Sequence, residues 1–511
     1  MDPISLEVML GALRAACDEM GAVLVRSAHS ANIKERRDAS TALFDPGGLM
    51  VMQAEHIPVH LGAMPSAVAA ILDQEHEPGD AWILNDPFRG GTHLPDITLI
   101  TPAFAGGQLV GFAANRAHHA DVGGRVPGSM PADSSTLDEE GVVIGPTRIV
   151  AGGRLDQDLL ADLTGRMRSP QQRMADLRAQ LASGRSGAER LEQLVTSMGA
   201  AAVREGMSET LEYAERRTRA ALGRMPDGTL TASDVLEARD GDLTLELSAT
   251  IAGDSLELDF TGSAAQHEGN LNCPLAVTLS ACYFAARVLA DPDVPPCAGA
   301  WRPVTVIAPE GSILNARPPA AVAAGNVETS SRVADLVLGA FGQALGQGTM
   351  NNLTLGNQGF TYYETIGGGQ GACPGADGPS GVHVAMSNTL NTPIEALELE
   401  FPLRAVEYSL RRGSGGAGTT RGGDGVIREV EALEEMSYSL ITERRRHSPR
   451  GGDGGEPGRP GRNALNGQDL PGKVAGVLQP GDRLRIETPG GGGYGRASRQ
   501  NAPARTKGRE A

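Results

Sequence analysis

The 511-residue chain reads as a mixed α and β protein of the α+β kind, built in several layers, with a helical insertion and a glycine-rich β C-terminal region. Three observations point there. Helical periodicity opens the chain and returns over residues 154–224. Short β-patterned runs bounded by turn residues fill the stretches between. Glycine, 68 residues in all, concentrates after Gln347. On these grounds the chain divides into an α/β part at 1–150, a helical insertion at 151–228, an α/β part at 229–346, a β-rich part at 347–495 and a basic tail at 496–511, expected to be disordered.

In order, Leu6, Leu10, Leu13, Cys17, Met20 and Leu24 step by four and three, marking one face of an opening helix. Ser30 to Pro65 then reads as two short strands about the Pro46-Gly47-Gly48 turn, carrying Arg36, Arg37, Asp38, Glu55, His56 and His60. His56 and His60 have the spacing of a helical metal pair, but Pro58 between them argues against a helix. Both are therefore expected to line a substrate pocket. A short helix at Ala63–Gln74 and a buried strand at Trp82-Ile83-Leu84 follow.

The next stretch carries the chemistry. Ile97–Pro102 and Leu109–Asn115 read as strands about the Gly106-Gly107 turn. A hairpin returns its exit beside its entry, which brings His93, Asp96 and His118 toward one point. Two imidazoles and one carboxylate make an open divalent-metal site (Mn, Zn or Mg), with positions left for water or substrate. His119 and Asp121, beside His118, are candidate general bases or orienting groups. Arg89 and Arg116 are candidates for steadying anionic oxygens of a substrate. Each has a plain structural alternative as a loop residue or ion-pair partner.

Beyond the hairpin, Asp138-Glu139-Glu140 reads as a solvated acidic face, and helices are expected around Pro170–Ala182 and Ala188–Leu222. Strands follow at Leu243–Ile251 and Ser255–Phe260, then an apolar helix at Leu275–Leu289. Asn326, Glu328 and Thr329 stand at a helix start, where they cap it or offer an anion site. Four further strands are expected, at Phe360–Glu364, Val426–Glu431, Tyr438–Thr442 and Arg483–Glu487.

Composition excludes several classes. A net charge of −17 and a pI near 5.1 argue against a nucleic-acid surface. No apolar run approaches the roughly 18 residues of a membrane span, and the acidic N-terminus is no secretory signal. Five scattered cysteines without CxxC spacing give neither a disulfide framework nor a structural zinc, so a cytoplasmic protein is expected. GQDLPGKV at 467–474 matches GxxxxGK, but Val474 stands where the magnesium-binding Ser or Thr is required. No nucleotide site and no GxSxG elbow is read anywhere in the chain.

The stretches RRDASTALFD, HIPVHLGAMP, NDPFRGGTHLPDITLITP, AHHADVGG with PGSMP, PGADGPSGVH (Pro374–His383), NTLNTPIE, RGGDGV and IETPGGGGYG resemble the hydantoinase B/oxoprolinase family, in family order and over nearly the whole chain. That family includes B subunits of ATP-dependent N-methylhydantoinases, the matching half of 5-oxoprolinases, and related subunits of acetone and acetophenone carboxylases. The resemblance implies a partner chain of the hydantoinase A type that uses ATP, which fits the missing nucleotide motif. It also implies a metal on His93, Asp96 and His118, spaced as the metal-holding histidines and aspartate of the corresponding acetone carboxylase subunit are. The expected function is the catalytic B subunit of an ATP-dependent cyclic-amide hydrolase, completing ring opening of an activated substrate. A ketone carboxylase subunit and a non-catalytic scaffold for the ATPase are the alternatives. An iron(II) oxygenase is disfavoured, since such sites use HxD or HxE spacing.

Overall fold

The computed structural model describes residues 1–55 and 57–497. Helix α1 (Pro3–Ser27) starts under an Asp2 cap that accepts from the Ile4 and Ser5 amides. It buries Leu10, Leu13, Cys17, Met20 and Leu24 of the predicted stripe, while Leu6 is only partly covered. A single turn, α2 (Ala31–Lys34), leads to the hairpin of β1 (Ala39–Phe44) and β2 (Met50–Glu55). Helix α3 (Met64–Ala69) is shorter than expected, its continuation being a series of turns.

Strands β3 (Ala81–Leu84), β4 (Asp96–Ala105), β5 (Gln108–His118), β6 (Thr147–Ala151) and β7 (Arg154–Leu155) complete an antiparallel seven-stranded sheet of order β2-β1-β5-β4-β3-β6-β7. The β4–β5 hairpin closes through Gly106 and Gly107, both at positive φ (55° and 78°), which suits a two-residue turn whose twist matches the strands. Both strands run further than the apolar runs suggested: Asp96 and residues 116–118 stay in the ladder at the open end, and residues 103–105 and Gln108 at the turn. β6 is not among the strands expected from the sequence; its partner β3 is distant in sequence and leaves no local signal.

The expected helical stretch is present as α4 (Gln157–Gly165), α5 (Pro170–Met198) and α6 (Ala200–Leu222). Leu191, Val203, Met207 and Leu211 from it share a core with Met9, Phe44 and Phe112, so these helices cover the first sheet. A second sheet, order β11-β10-β9-β8, uses β8 (Gly228–Glu237), β9 (Asp242–Ala252), β10 (Ser255–Asp259) and β11 (Val304–Ile307); β8 had no sequence signal strong enough to predict it. It packs with α7 (Leu275–Ala290), while the short α8 (Ala298–Trp301) joins the first core. A π-helical turn at Gly325–Thr329 opens α9 (Ser330–Ala340). None of its side chains caps that helix: Glu328 accepts from the Thr349 hydroxyl and the Met350 amide, and the Thr329 hydroxyl donates to the Leu271 carbonyl.

The acidic run corrects one expectation. Glu140 is fully buried and accepts hydrogen bonds from the Val322 and Ala323 amides and the Ser134 hydroxyl, rather than facing solvent. Its partners come from a distant segment, which no local pattern announces.

The C-terminal part holds β12 (Asn352–Gly356), β13 (Thr361–Glu364), α10 (Ile394–Glu400), β14 (Leu403–Arg411), β15 (Gly425–Ala432), β16 (Met436–Ile441), β17 (Arg462–Leu465), β18 (Gln468–Leu470), β19 (Lys473–Leu478) and β20 (Arg483–Glu487). They form two sheets, β13-β12-β16-β19 and β14-β15-β20-β17-β18. GQDLPGKV folds as a hairpin arm and the start of β19, with Lys473 bonded to Glu443, so it has no strand–loop–helix context. The glycine-rich loops pair backbone to backbone: the Gly491 amide donates to the Gly423 carbonyl, and the Gly423 amide to that of Gln370. A Cβ on Gly491 would lie 2.0 Å from the Gln370 oxygen, a distance only glycine tolerates. Residues 498–511, nearly all of the basic tail, lie outside the described residues. Among the described residues no helix is long and apolar enough to cross a membrane.

Two stability predictions follow from these contacts. Gly491→Ala forces backbone apart and should lower stability by about 2 kcal/mol or more, whereas Gly11→Ala, on the exposed face of α1 with open space around it, should raise it by roughly 0.5–1 kcal/mol. Chemical denaturation measures both. Burial, reinforced by Glu443, pushes the Glu328 carboxyl up to about 8. Between the ordinary glutamate range and that value the folded chain keeps a proton the unfolded chain has lost, so stability declines as pH rises through this window. The melting temperature should fall from about pH 5 to about pH 9, and Glu328→Gln should flatten the decline. An unchanged profile in the variant would refute the assignment.

Candidate metal centre

Asp96 opens β4 and His118 closes β5, and the two stand directly opposite each other in the ladder. Residues so paired present their side chains on the same face at close range. His93 joins them from the turn before β4, where its carbonyl accepts from the Asp96 amide. The His93 and His118 rings lie 5.1 Å apart between centroids. One donor atom from each of His93, Asp96 and His118 falls within 4.8 Å of the others, and all three residues are buried.

Asp96 is held on both oxygens. Oδ1 lies 3.3 Å from His93 Nε2, off the line of a hydrogen bond, while Oδ2 accepts from Thr92 Oγ1 at 2.6 Å and lies 3.3 Å from His60 Nε2. Ser40 Oγ meets the other His60 nitrogen at 3.0 Å. Burial works against ionisation here, but the imidazoles of His93 and His60 hold the Asp96 carboxyl well below its usual range. His118 is shifted the other way: burial, then the neighbouring His93, keeps it neutral. A carboxylate beside a neutral imidazole is the charge state metal binding requires.

His118 is fixed from two sides. Its ring stacks on Tyr363 at 4.5 Å between centroids, with Arg36 on the same tyrosine at 4.7 Å, and its Nδ1 meets the Asn32 side-chain amide at 3.1 Å. Its Nε2 has no hydrogen-bond partner, and neither nitrogen of His93 has one. Asp38 Oδ1 and Asn326 Oδ1 are likewise buried and unpartnered, and both residues line the same small cavity of about 10 Å³. That is room for one ion or water. Leaving a buried polar atom unpaired costs about 1–3 kcal/mol, so this concentration of unpaired donors fits a cation that would satisfy them together.

The other expected residues divide. His60 lines the cavity. His119 does not: its Nε2 meets Gln180 Oε1 of α5 at 2.9 Å, and burial pushes its pKa down to about 4. Consecutive residues leaving a strand point to opposite faces, so the position after His118 cannot share its site. Asp121 accepts from the Gly123, Gly128 and Arg168 amides and pairs with the Arg168 guanidinium, and so shapes a loop. Arg116 is buried but donates to Thr98 and the Gly90 carbonyl, and Arg89 is exposed beside Gly145. Neither borders the cavity. His56 lies outside the described residues.

Sequence reasoning left out of the site Asn32, Asp38, Thr92, Asn326 and Tyr363. Thr92 and Asp38 fall in stretches quoted above for their pattern and were within reach. Tyr363 arrives from a distant part of the chain and carries no local mark, and Asn326, marked in sequence only by its place at a helix start, arrives from another.

Comparison with known proteins agrees with this architecture. The family model described as hydantoinase B/oxoprolinase matches residues 2–497. The chain is 40% identical to 5-oxoprolinase 1 of Arabidopsis thaliana over 97% of its own length, but spans only 42% of that protein. It superposes on the ATP-dependent caprolactamase of Pseudomonas jessenii with a TM-score of 0.90 at 29% identity, covering 98% of this chain and 93% of that one. An acetone carboxylase shares the fold with a TM-score of 0.87 at 19% identity, over 97% of this chain and 76% of that one. With the family model spanning nearly every described residue, the chain belongs to the hydantoinase B/oxoprolinase family.

Proposed function

We propose that this chain is the catalytic B-type subunit of an ATP-dependent cyclic-amide hydrolase, holding a divalent metal on His93, Asp96 and His118. The observation that carries the reading is the convergence of those three buried side chains, with both His93 nitrogens and His118 Nε2 unpaired. The similarity to a 5-oxoprolinase and a caprolactamase supports a cyclic amide as substrate. The 19% identity to acetone carboxylase carries the fold alone. The metal is Mn, Zn or Mg.

An unstrained amide resists hydrolysis at neutral pH, so the ring must be activated first. That step belongs to a separate ATP-binding chain of the hydantoinase A type, with which this chain forms a hetero-oligomer. Once bound, the metal supplies Lewis acidity toward the substrate oxygen and water. The residues here orient and exchange protons. The Asn32 side-chain amide nitrogen, 3.1 Å from His118 Nδ1, fixes the imidazole so that Nε2 is left without a protein partner. Thr92 and His60 fix the Asp96 carboxylate. Asp38, lifted to about 6 by burial against the pull of Arg36, faces the cavity with Oδ1 free and is the base placed to take a proton from attacking water.

His93→Ala should leave both chains folded but reduce bound metal well below the wild-type level and abolish substrate-dependent ATP hydrolysis in the reconstituted pair. Wild-type turnover by that variant sinks the reading. Asp38→Asn should keep the metal and lose about 10²–10⁴-fold in kcat. Metal analysis of the same preparation decides its role: loss of the ion together with activity would make Asp38 a ligand rather than the base.

A further inference from the structure

The cavity around the three candidate ligands, at about 10 Å³, has no room for a substrate. Small-molecule pockets run from roughly 300 to 1,000 Å³. A chamber of about 640 Å³ lies next to it. Tyr363, which stacks on His118, borders both spaces, and Asn32, which meets His118 Nδ1, lines the larger one. The chamber therefore ends one side chain away from a candidate ligand, on the Nδ1 side of its ring.

The walls of the chamber define a chemistry. Phe360 and Tyr362 from the β13 end and Phe401 after α10 form an aromatic cluster, Phe401 lying 5.8 Å from Phe360 and 5.1 Å from Tyr362. Against this apolar wall stand the hydrogen-bonding side chains of Asn32 and Gln171, and the Thr361 hydroxyl, which is buried without a partner. Among the described residues, His29 and Glu400 are the only titratable side chains lining it besides the tyrosines, and no lysine or arginine does. A carboxylate entering here meets no lysine or arginine to pair with and has Glu400 against it, whereas a neutral ring with one polar edge finds both an apolar face and hydrogen-bond partners.

We infer that this chamber is the substrate subsite of the enzyme, that it takes uncharged cyclic amides, and that Phe360 and Phe401 set the size of ring or substituent accepted. The inference rests on the metal reading of His93, Asp96 and His118 and adds to it the substrate class. Gln171 sits on the first turn of α5 with its side chain exposed at the chamber wall, so Gln171→Trp fills the space without touching the core.

The test is ligand-observed NMR on the full-length chain with three probes, ε-caprolactam, hydantoin and 5-oxoproline. The two neutral rings should bind the wild type, bind it at least about tenfold more tightly than anionic 5-oxoproline does, and weaken at least about tenfold in Gln171→Trp. Phe401→Ala should shift the preference toward N- or C-substituted rings. Neutral rings that bind wild type and Gln171→Trp alike, or tighter binding of 5-oxoproline, overturn the chamber while the metal reading stands. Metal analysis of the same samples separates the two: a wild-type chain that takes up no divalent ion defeats the functional reading instead.

Discussion

One register organises the site: Asp96 opposite His118 at the open end of the β4–β5 hairpin. Side chains alternate along a strand, so a slip of one residue would send His118 to the face where His119 now meets Gln180. The Gly106-Gly107 turn pairs Ala105 with Gln108, and a bulge between Ala103 and Phe104, which passes over Val110, shifts the pairing by one residue and so brings Asp96 opposite His118. Core packing enforces it from below. Ile100 and Phe112 of the same two strands are fully buried in the core that also holds Met64 and Val68 of α3, and a shift would take them out of it.

A hairpin alone would still leave the three side chains mobile. Their positions come from every part of the chain: Asn32 and Asp38 from the N-terminal segment, Asn326 from the π-helical turn, Tyr363 from β13. Arg36 ties these together, donating to the Tyr363 carbonyl and to Thr365 and Thr389 while lying over the Tyr363 ring. A π turn widens the helix and directs side chains that a regular first turn would point elsewhere. Here it brings Asn326 and Val327 to the cavity. Further out, Arg332, Asp234, Arg444, Glu443 and Lys473 form a buried ionic network joining the second sheet to the C-terminal part. Such a network adds little net stability, but removing one member costs about 3–5 kcal/mol, so it holds the parts in one relative arrangement. The candidate centre accordingly depends on the whole chain rather than on one module.

The contrast between His118 and its neighbours explains the selection of residues. His118, Asp38 and Asp96 face a space too small for anything but an ion or water, where unpaired polar atoms are expensive and a cation relieves them. One to three residues away, His119 meets Gln180 of α5 through Nε2, and Asp121 is held by loop amides and Arg168. Proximity in sequence put five candidates in view; His119 points to the other face of the sheet, toward Gln180, and Asp121 is taken up by loop amides and Arg168, so neither borders the cavity.

Local sequence by itself determined the hairpin, its turn and the types of residue at its open end, because period-two alternation and a Gly-Gly pair are short-range signals. It also determined the helical stretch and the glycine-dominated C-terminal part, and its motifs carried the family. What only the tertiary structure decided was which polar residues are paired and which are left facing a cavity. Glu140 looks solvated in sequence and is buried by amides from Val322 and Ala323; Tyr363 looks like an ordinary strand residue and stacks on His118. The physical reason is the same in each case: a side chain's environment is set by partners hundreds of residues away, and neither hydrophobic period nor local spacing encodes them.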